Sequence, residues 1–150
     1  MQISLSVCKF EYLTVDILYD IIQLRQEIFI VEQNCPYLDA DGNDKYASHL
    51  ILHDTDNSII GYARILPPDI PYTDFVSIGR VVCKKEKRGQ GFGRQLMILA
   101  IMHCKELYPG VPIKIGAQSY LKRFYTSLGF NDTGTSYIED GIPHIIMTMK

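Results

Sequence analysis

The run Arg88-Gly89-Gln90-Gly91-Phe92-Gly93 stands where a strand pattern gives way to a helix pattern, and that juncture constrains the chain more than any other part of it. Upstream, Phe75 to Cys83 is rich in β-branched and aromatic residues that fit a pleated strand. Downstream, Leu96, Leu99, Ala100 and Leu107 recur at helical spacing, so a helix is expected from near Gly91 to about Tyr108, where Pro109-Gly110 ends it. A strand feeding a glycine-rich turn that opens a helix aims several backbone N–H groups and the positive end of the helix dipole at one spot. An anion fits there. Glycines let a diphosphate approach without Cβ interference, while Arg88 and Arg94 add charge. A tight turn with no ligand would use the same glycines, so the motif alone leaves both readings open. Two other phosphate signatures are excluded by spelling. Gly89, Gly91 and Gly93 lack the dinucleotide-binding spacing with an acidic residue about 20 positions on, and no Lys-Ser/Thr follows as a nucleoside triphosphate loop requires.

The rest of the pattern describes one domain over residues 1–150. Ile3, Leu5 and Val7 alternate as a first strand, and Thr14 is placed to cap a helix with Leu18, Ile21, Ile22, Leu24 and Ile28 on its apolar stripe. A polar loop, Asn34 to Asp44, follows. Ala47 to His53 and Ser58 to Leu66 read as a hairpin closed by Pro67-Pro68, and Val111 to Ala117 as a later strand. A helix near Ser119 to Leu128 and a hairpin turning at Glu139 to Pro143 complete an order β-α-β-β-β-α-β-α-β-β, an α/β (α+β) arrangement of a mixed sheet flanked by helices.

Several function classes drop out. With 150 residues, 47% of them hydrophobic, the chain can bury a core without disulfides or a metal. A net charge of −2 argues against nucleic-acid binding by a wide basic face; positive charge is local, at Lys84, Lys85, Lys87, Arg88 and Arg94. Cys8, Cys35, Cys83 and Cys104 are scattered, with neither a zinc spacing nor a disulfide frame. Asp39, Asp41 and Asp44 around Gly42 fail the calcium-loop spacing, so no metal is expected. The acidic loop would instead draw a cationic acceptor, or simply keep the surface soluble. No leader pattern opens Met1-Gln2-Ile3-Ser4-Leu5 and no long apolar span occurs, so a cytoplasmic protein without membrane association is expected.

Arg88-x-x-Gly91-x-Gly93 after a strand resembles the pyrophosphate loop of the GNAT acetyltransferases. Gln118 to Phe130, with a polar strand end, a tyrosine-bearing helix and Gly129-Phe130, is similar to the second half of that superfamily. Leu24-Arg25-x-x-x-Phe29-x-Val31-Glu32-Gln33-Asn34-Cys35-Pro36-Tyr37, Ile78-Gly79-Arg80-Val81, Gly116-Ala117-Gln118 and Glu139-Asp140-Gly141-Ile142-Pro143-His144 resemble its ElaA branch, so the likeness spans about Leu24 to Met149.

The resemblance implies a mostly antiparallel sheet whose two central strands splay after a bulge, with the pantetheine arm of acetyl-CoA between them. It puts Val81, Val82 and Cys83 along that arm and Arg88, Gly89, Gln90, Gly91, Gly93 and Arg94 on the phosphates, without metal. Cys83 is expected to be a small apolar filler. Transfer of an acetyl group to an amine needs a neutral amine, oxyanion stabilisation and a proton for the departing thiolate. Tyr125 occupies the position implied to protonate sulfur, although Phe124-Tyr125 would also pack as an ordinary aromatic pair. Gln118 would hold the pantetheine amide or cap its strand. For the base, Glu32 and His49 are both candidates. Arg25, His49, Glu139 and His144 are the expected acceptor contacts, although the turn chemistry of Glu139-Asp140-Gly141 would itself explain those residues. The implied activity is an N-acetyltransferase acting on a primary amine by direct attack; a non-catalytic acyl-CoA-binding module is the alternative. Exposed strand edges are compatible with a homodimer, and no residue pattern demands one.

Overall fold

The computed structural model describes residues 3–150; Met1 and Gln2, part of the segment read for a leader, lie outside them. Strand β1 (Ser4–Lys9) leads through a short turn to helix α1 (Val15–Arg25). Thr14 starts that helix as expected, its hydroxyl accepting the Ile17 N–H at 3.1 Å. The helix then widens into a π-wound segment, Gln26–Glu32, a form frequent at functional sites. After the loop come β2 (Ser48–His53), β3 (Ile59–Leu66) and β4 (Ser77–Cys83), then α2 (Phe92–Leu107). Strand β5 (Ile113–Gln118), helix α3 (Lys122–Ser127) and the hairpin β6 (Asn131–Glu139) and β7 (Ile142–Met149) finish the chain.

The strands form two antiparallel sheets, β1-β2-β3-β4 and β5-β7-β6. They meet at one parallel bridge, Val76 to Ile113, where the Val76 N–H donates to Pro112 and the Lys114 N–H to Val76. Beyond it β4 and β5 diverge, so the second edge of β4 is open from Ser77 onward. This is the mixed, helix-flanked arrangement that the residue pattern led us to expect, with the mostly antiparallel, splayed form that the resemblance implied.

Helices explain the burial. Strand β3 is buried at every position because α1 covers one face of the first sheet and α2 the other. Under α1 pack Ile21, Leu24, Ile28, Ile51, Tyr62 and Val82. On α2 the buried stripe is Leu96, Met97, Ala100, Ile101 and Cys104, whereas Leu107, on the same face by helical periodicity, is exposed at the last position of the helix. Helix α3 brings Tyr125 against Phe130, with ring centroids 6.0 Å apart and nearly perpendicular planes.

Candidate active site

The bulge that opens the sheets is built from Arg80. Tyr62 pairs with Val82 and Arg64 with Gly79, so Ala63 alone stands opposite Arg80 and Val81. Arg80 takes a left-handed φ of 50°, unusual for a non-glycine residue. Its side chain is held on the protein side: Nε donates to Asp39 Oδ1 at 2.8 Å, and the guanidinium lies over Tyr37.

Beside the bulge lies a cleft of about 950 Å³, which continues into a hollow of about 260 Å³ under the glycine loop. Val81, Val82, Cys83, Arg88 and Tyr125 line both. Gly89 and Gly91 have φ of 77° and 82°, and a Cβ on either would meet no atom within 4 Å. They are therefore glycines for backbone reasons, with open space above them. Gly91 caps α2 with no side chain over its first turn. Among the described residues no protein acceptor takes the N–H groups of residues 89 to 94. Such a loop can hold an anion.

The charged residues near it divide. Arg88 pairs with Glu32, Nη2 to Oε2 at 2.7 Å, which brings a phosphate-binding candidate and a base candidate into contact. Arg94 turns to Ser127 Oγ at 2.8 Å, and Lys87 to Asp54 at 2.8 Å; Arg94 and Gln90 line neither cavity. Cys83 is half-buried beside Gly93, and burial pushes its thiol pKa up, consistent with a filler rather than a nucleophile.

Tyr125 is 9% exposed, and burial pushes its hydroxyl pKa up to about 12, with Tyr120 adding to the shift. The ring packs edge-on to Phe124 and Phe130, while among the described residues the hydroxyl has no protein acceptor and the residue lines the cleft. Tyr125 is thus packed as an aromatic, and its hydroxyl stays protonated at neutral pH. Gln118 ends β5 in the cleft with no side-chain cap bond, so strand capping does not explain it.

Two expected acceptor contacts are corrected. Arg25 is fully buried, Nε bonded to Asp39 Oδ2 and Nη1 to Asp44 Oδ1, both at 2.8 Å. His49 is equally buried, its ring nitrogens taken by the Tyr62 hydroxyl at 2.6 Å and the Asp44 carbonyl at 2.9 Å; desolvation lowers its pKa. Neither reaches the cleft, because the acidic loop folds over them. That loop is corrected too: Asp39, Asp41 and Asp44 are matched by Arg25, Arg64 and Arg80. Burial works against ionisation of Asp41, but the hydrogen bond from Arg64, helped by the Asn43 N–H and the charges of Arg64 and Arg80, holds its pKa down to about 2.

Glu139 and His144 do line the cleft, together with tyrosines that the pattern did not single out. The hydroxyls of Tyr72 and Tyr137 converge over Gly116, where a Cβ would collide with the Tyr137 hydroxyl. Tyr137 stacks on His144. A glycine inside β5 was the available signal for that close approach. Among the described residues no cluster of metal-ligating side chains occurs, and no helix is long and apolar enough to cross a membrane.

This geometry has counterparts. Residues 31–150 match the acetyltransferase (GNAT) domain family. ElaA of Escherichia coli is 43% identical over 139 residues, covering 92% of this chain and 90% of ElaA. The chain belongs to the GNAT acetyltransferase family, in its ElaA-like branch. The crystal structure of E. coli ElaA superposes with a TM-score of 0.92 over 99% of this chain and all of that one, at 39% identity. An acyl-CoA N-acyltransferase from Pseudomonas aeruginosa does so with a TM-score of 0.94 over 99% and 100% of the two chains, at 37% identity. The GNAT fold is that of acyl-CoA-dependent acyltransferases, a family that uses CoA thioesters and amine acceptors.

Proposed function

We propose that this GNAT protein is a one-domain cytoplasmic N-acetyltransferase that moves the acetyl group of acetyl-CoA directly to a primary amine, with both substrates bound together. The observation that carries the reading is the conjunction, in one hollow, of an open glycine loop whose N–H groups find no protein acceptor and a protonated phenol.

CoA would supply an activated thioester carbonyl. The amides of residues 89 to 94, with Arg88, would hold its diphosphate, and the open edge of β4 at Val81 to Cys83 would offer backbone partners to the pantetheine amides. Gln118 faces the same arm from β5. Tyr125 would give its hydroxyl proton to the leaving sulfur. Its raised pKa keeps it protonated at neutral pH, as a proton donor must be.

On the acceptor side, Tyr72, Tyr120 and Tyr137 offer aromatic surface and Glu139 a carboxylate. That combination suits a primary amine carried on an apolar or aromatic body. Attraction by the acidic loop plays no part, since its carboxylates are matched by arginines.

Calorimetric titration of wild type and Gly91→Asp with acetyl-CoA, CoA and ATP tests the reading. Selective binding of the CoA compounds that Gly91→Asp loses is the expected result. Absence of binding would make the loop a plain turn and end the acetyltransferase reading.

A further inference from the structure

We infer that His144 is the general base of the transfer, taking the proton of the attacking amine on Nε2; this rests on the acyltransferase reading and assigns a residue within it. The ring lies on β7 between Gln118 at the end of β5 and Tyr137 on β6. Its Nδ1 is 2.7 Å from the carbonyl oxygen of Ile142. A carbonyl only accepts, so the proton of the neutral ring sits on Nδ1 and the lone pair is left on Nε2. Tyr137 stacks on the imidazole, centroids 5.2 Å apart and planes 19° from parallel, which fixes the direction of that lone pair.

Nε2 has no protein partner among the described residues. Among the described residues Arg64 Nε is the one fully buried side-chain nitrogen or oxygen lacking a hydrogen bond, so the unpartnered Nε2 is open to the cleft that His144 lines. The other candidates are engaged. Glu32 is paired with Arg88, and His49 has both nitrogens bonded away from the cleft. A base needs a lone pair within reach of the proton it removes, and orientation by a second group; His144 has both.

The step balances. As the amine nitrogen bonds to the acyl carbon, its proton passes to Nε2. The carbon–sulfur bond breaks, sulfur leaves with the electron pair, and it takes the Tyr125 proton. Imidazolium then loses a proton and phenolate regains one through solvent. His144 and Tyr125 thus act as base and acid in one cleft.

The cleft that His144 lines carries Tyr137, Glu139 and Asp140 of the terminal hairpin and Tyr72, Tyr120 and Tyr125, and from the first sheet's side Glu32, Tyr37, Asp41, Arg64, Arg80 and Arg88 with the thiols of Cys35 and Cys83. Burial raises the pKa of Tyr72, Tyr125 and Tyr137, which keeps these phenols neutral across the range in which imidazole changes charge.

Nitrogen NMR of isotope-labelled histidine in the wild type, assigned through the backbone, reads the tautomer. Neutral His144 is expected to carry its proton on Nδ1; a proton on Nε2 overturns the inference. Single-turnover thiol release from acetyl-CoA, with phenethylamine and with water as probe acceptors, then reads the role from about pH 5 to 8. The wild-type rate is expected to rise through that range. His144→Asn should be slower by about 10²-fold and lack the rise, and added imidazole should restore part of the rate to His144→Ala. An unchanged rate and profile in His144→Asn overturns the assignment. Acetyl-CoA titration of the same samples separates the levels: slow variants that bind normally support the base, whereas a wild type that binds none sinks the acyltransferase reading beneath it.

Discussion

The segment from Asn34 to Tyr46 and the loop from Arg88 to Gly93 both bring charge or dipoles to one cleft, yet the first turns its polar groups on the protein and the second leaves them open. Each carboxylate of the first meets an arginine at salt-bridge distance, and Arg25 and Arg64 are buried in the process. In the second, backbone amides face empty space. Residues 89 to 91 are exposed, so their donors are left to solvent or a ligand, and a row of such N–H groups at a helix N-terminus suits an anion whatever the formal charge nearby. The aspartates are scaffolding: they clamp α1, β3 and the β4 bulge together.

Asp39→Ala should break this contrast most severely. It takes the carboxylate from buried Arg25 Nε and from Arg80 Nε, leaving Arg25 with Asp44 as its one carboxylate partner, and removing one partner of a buried pair costs about 3–5 kcal/mol. Denaturant unfolding reads that loss; a stable variant with a weakened acceptor KM would instead make the segment a binding site. Next comes Gly91→Asp, which adds a like charge and a side chain at a left-handed φ and should lower acetyl-CoA affinity about 10²-fold, roughly 2.7 kcal/mol, in a titration. Tyr125→Phe is expected to cut kcat by about 10- to 100-fold while acetyl-CoA still binds; full turnover would remove the proton donor.

Acid should act more mildly, and chiefly on the buried aspartates. A carboxylate with a depressed folded pKa stabilises above its unfolded value of about 3.9, and that contribution is lost as pH falls through the folded value. For Asp41 that value is about 2, and Asp44 is lowered in the same sense, so unfolding free energy should drop from about pH 4 downward, less steeply in Asp41→Asn. The smallest effect belongs to Glu32→Gln. The Glu32–Arg88 pair is partly exposed, worth about 0.2–1 kcal/mol, and its loss should free Arg88 and tighten acetyl-CoA by about two- to fivefold.

Where periodicity and turn chemistry act locally, the chain was legible. The ten-element order, the Thr14 cap and the loop opening α2 follow from neighbours in sequence. Val76, expected inside β4, instead bridges to Ile113, a long-range pairing that no local pattern encodes. The site divides the same way. Val81 to Cys83, the glycines and Tyr125, each singled out by a local motif, line one hollow, whereas Arg25 and His49 look no different in sequence from exposed polar residues. What buries them is the match of three aspartates to arginines from three separate elements. The tyrosine wall escaped notice because Tyr72, Tyr120 and Tyr137 come from different segments and converge only when the second sheet forms.

Gly116 carries a consequence for anyone reshaping the protein. With only a hydrogen at that position, the Tyr137 hydroxyl reaches across β5 and its ring stays stacked on His144. Alanine there would lever Tyr137 aside, resizing the cavity and unseating the imidazole in one stroke, so selectivity and rate cannot be tuned independently through this position unless residue 137 is shortened along with it.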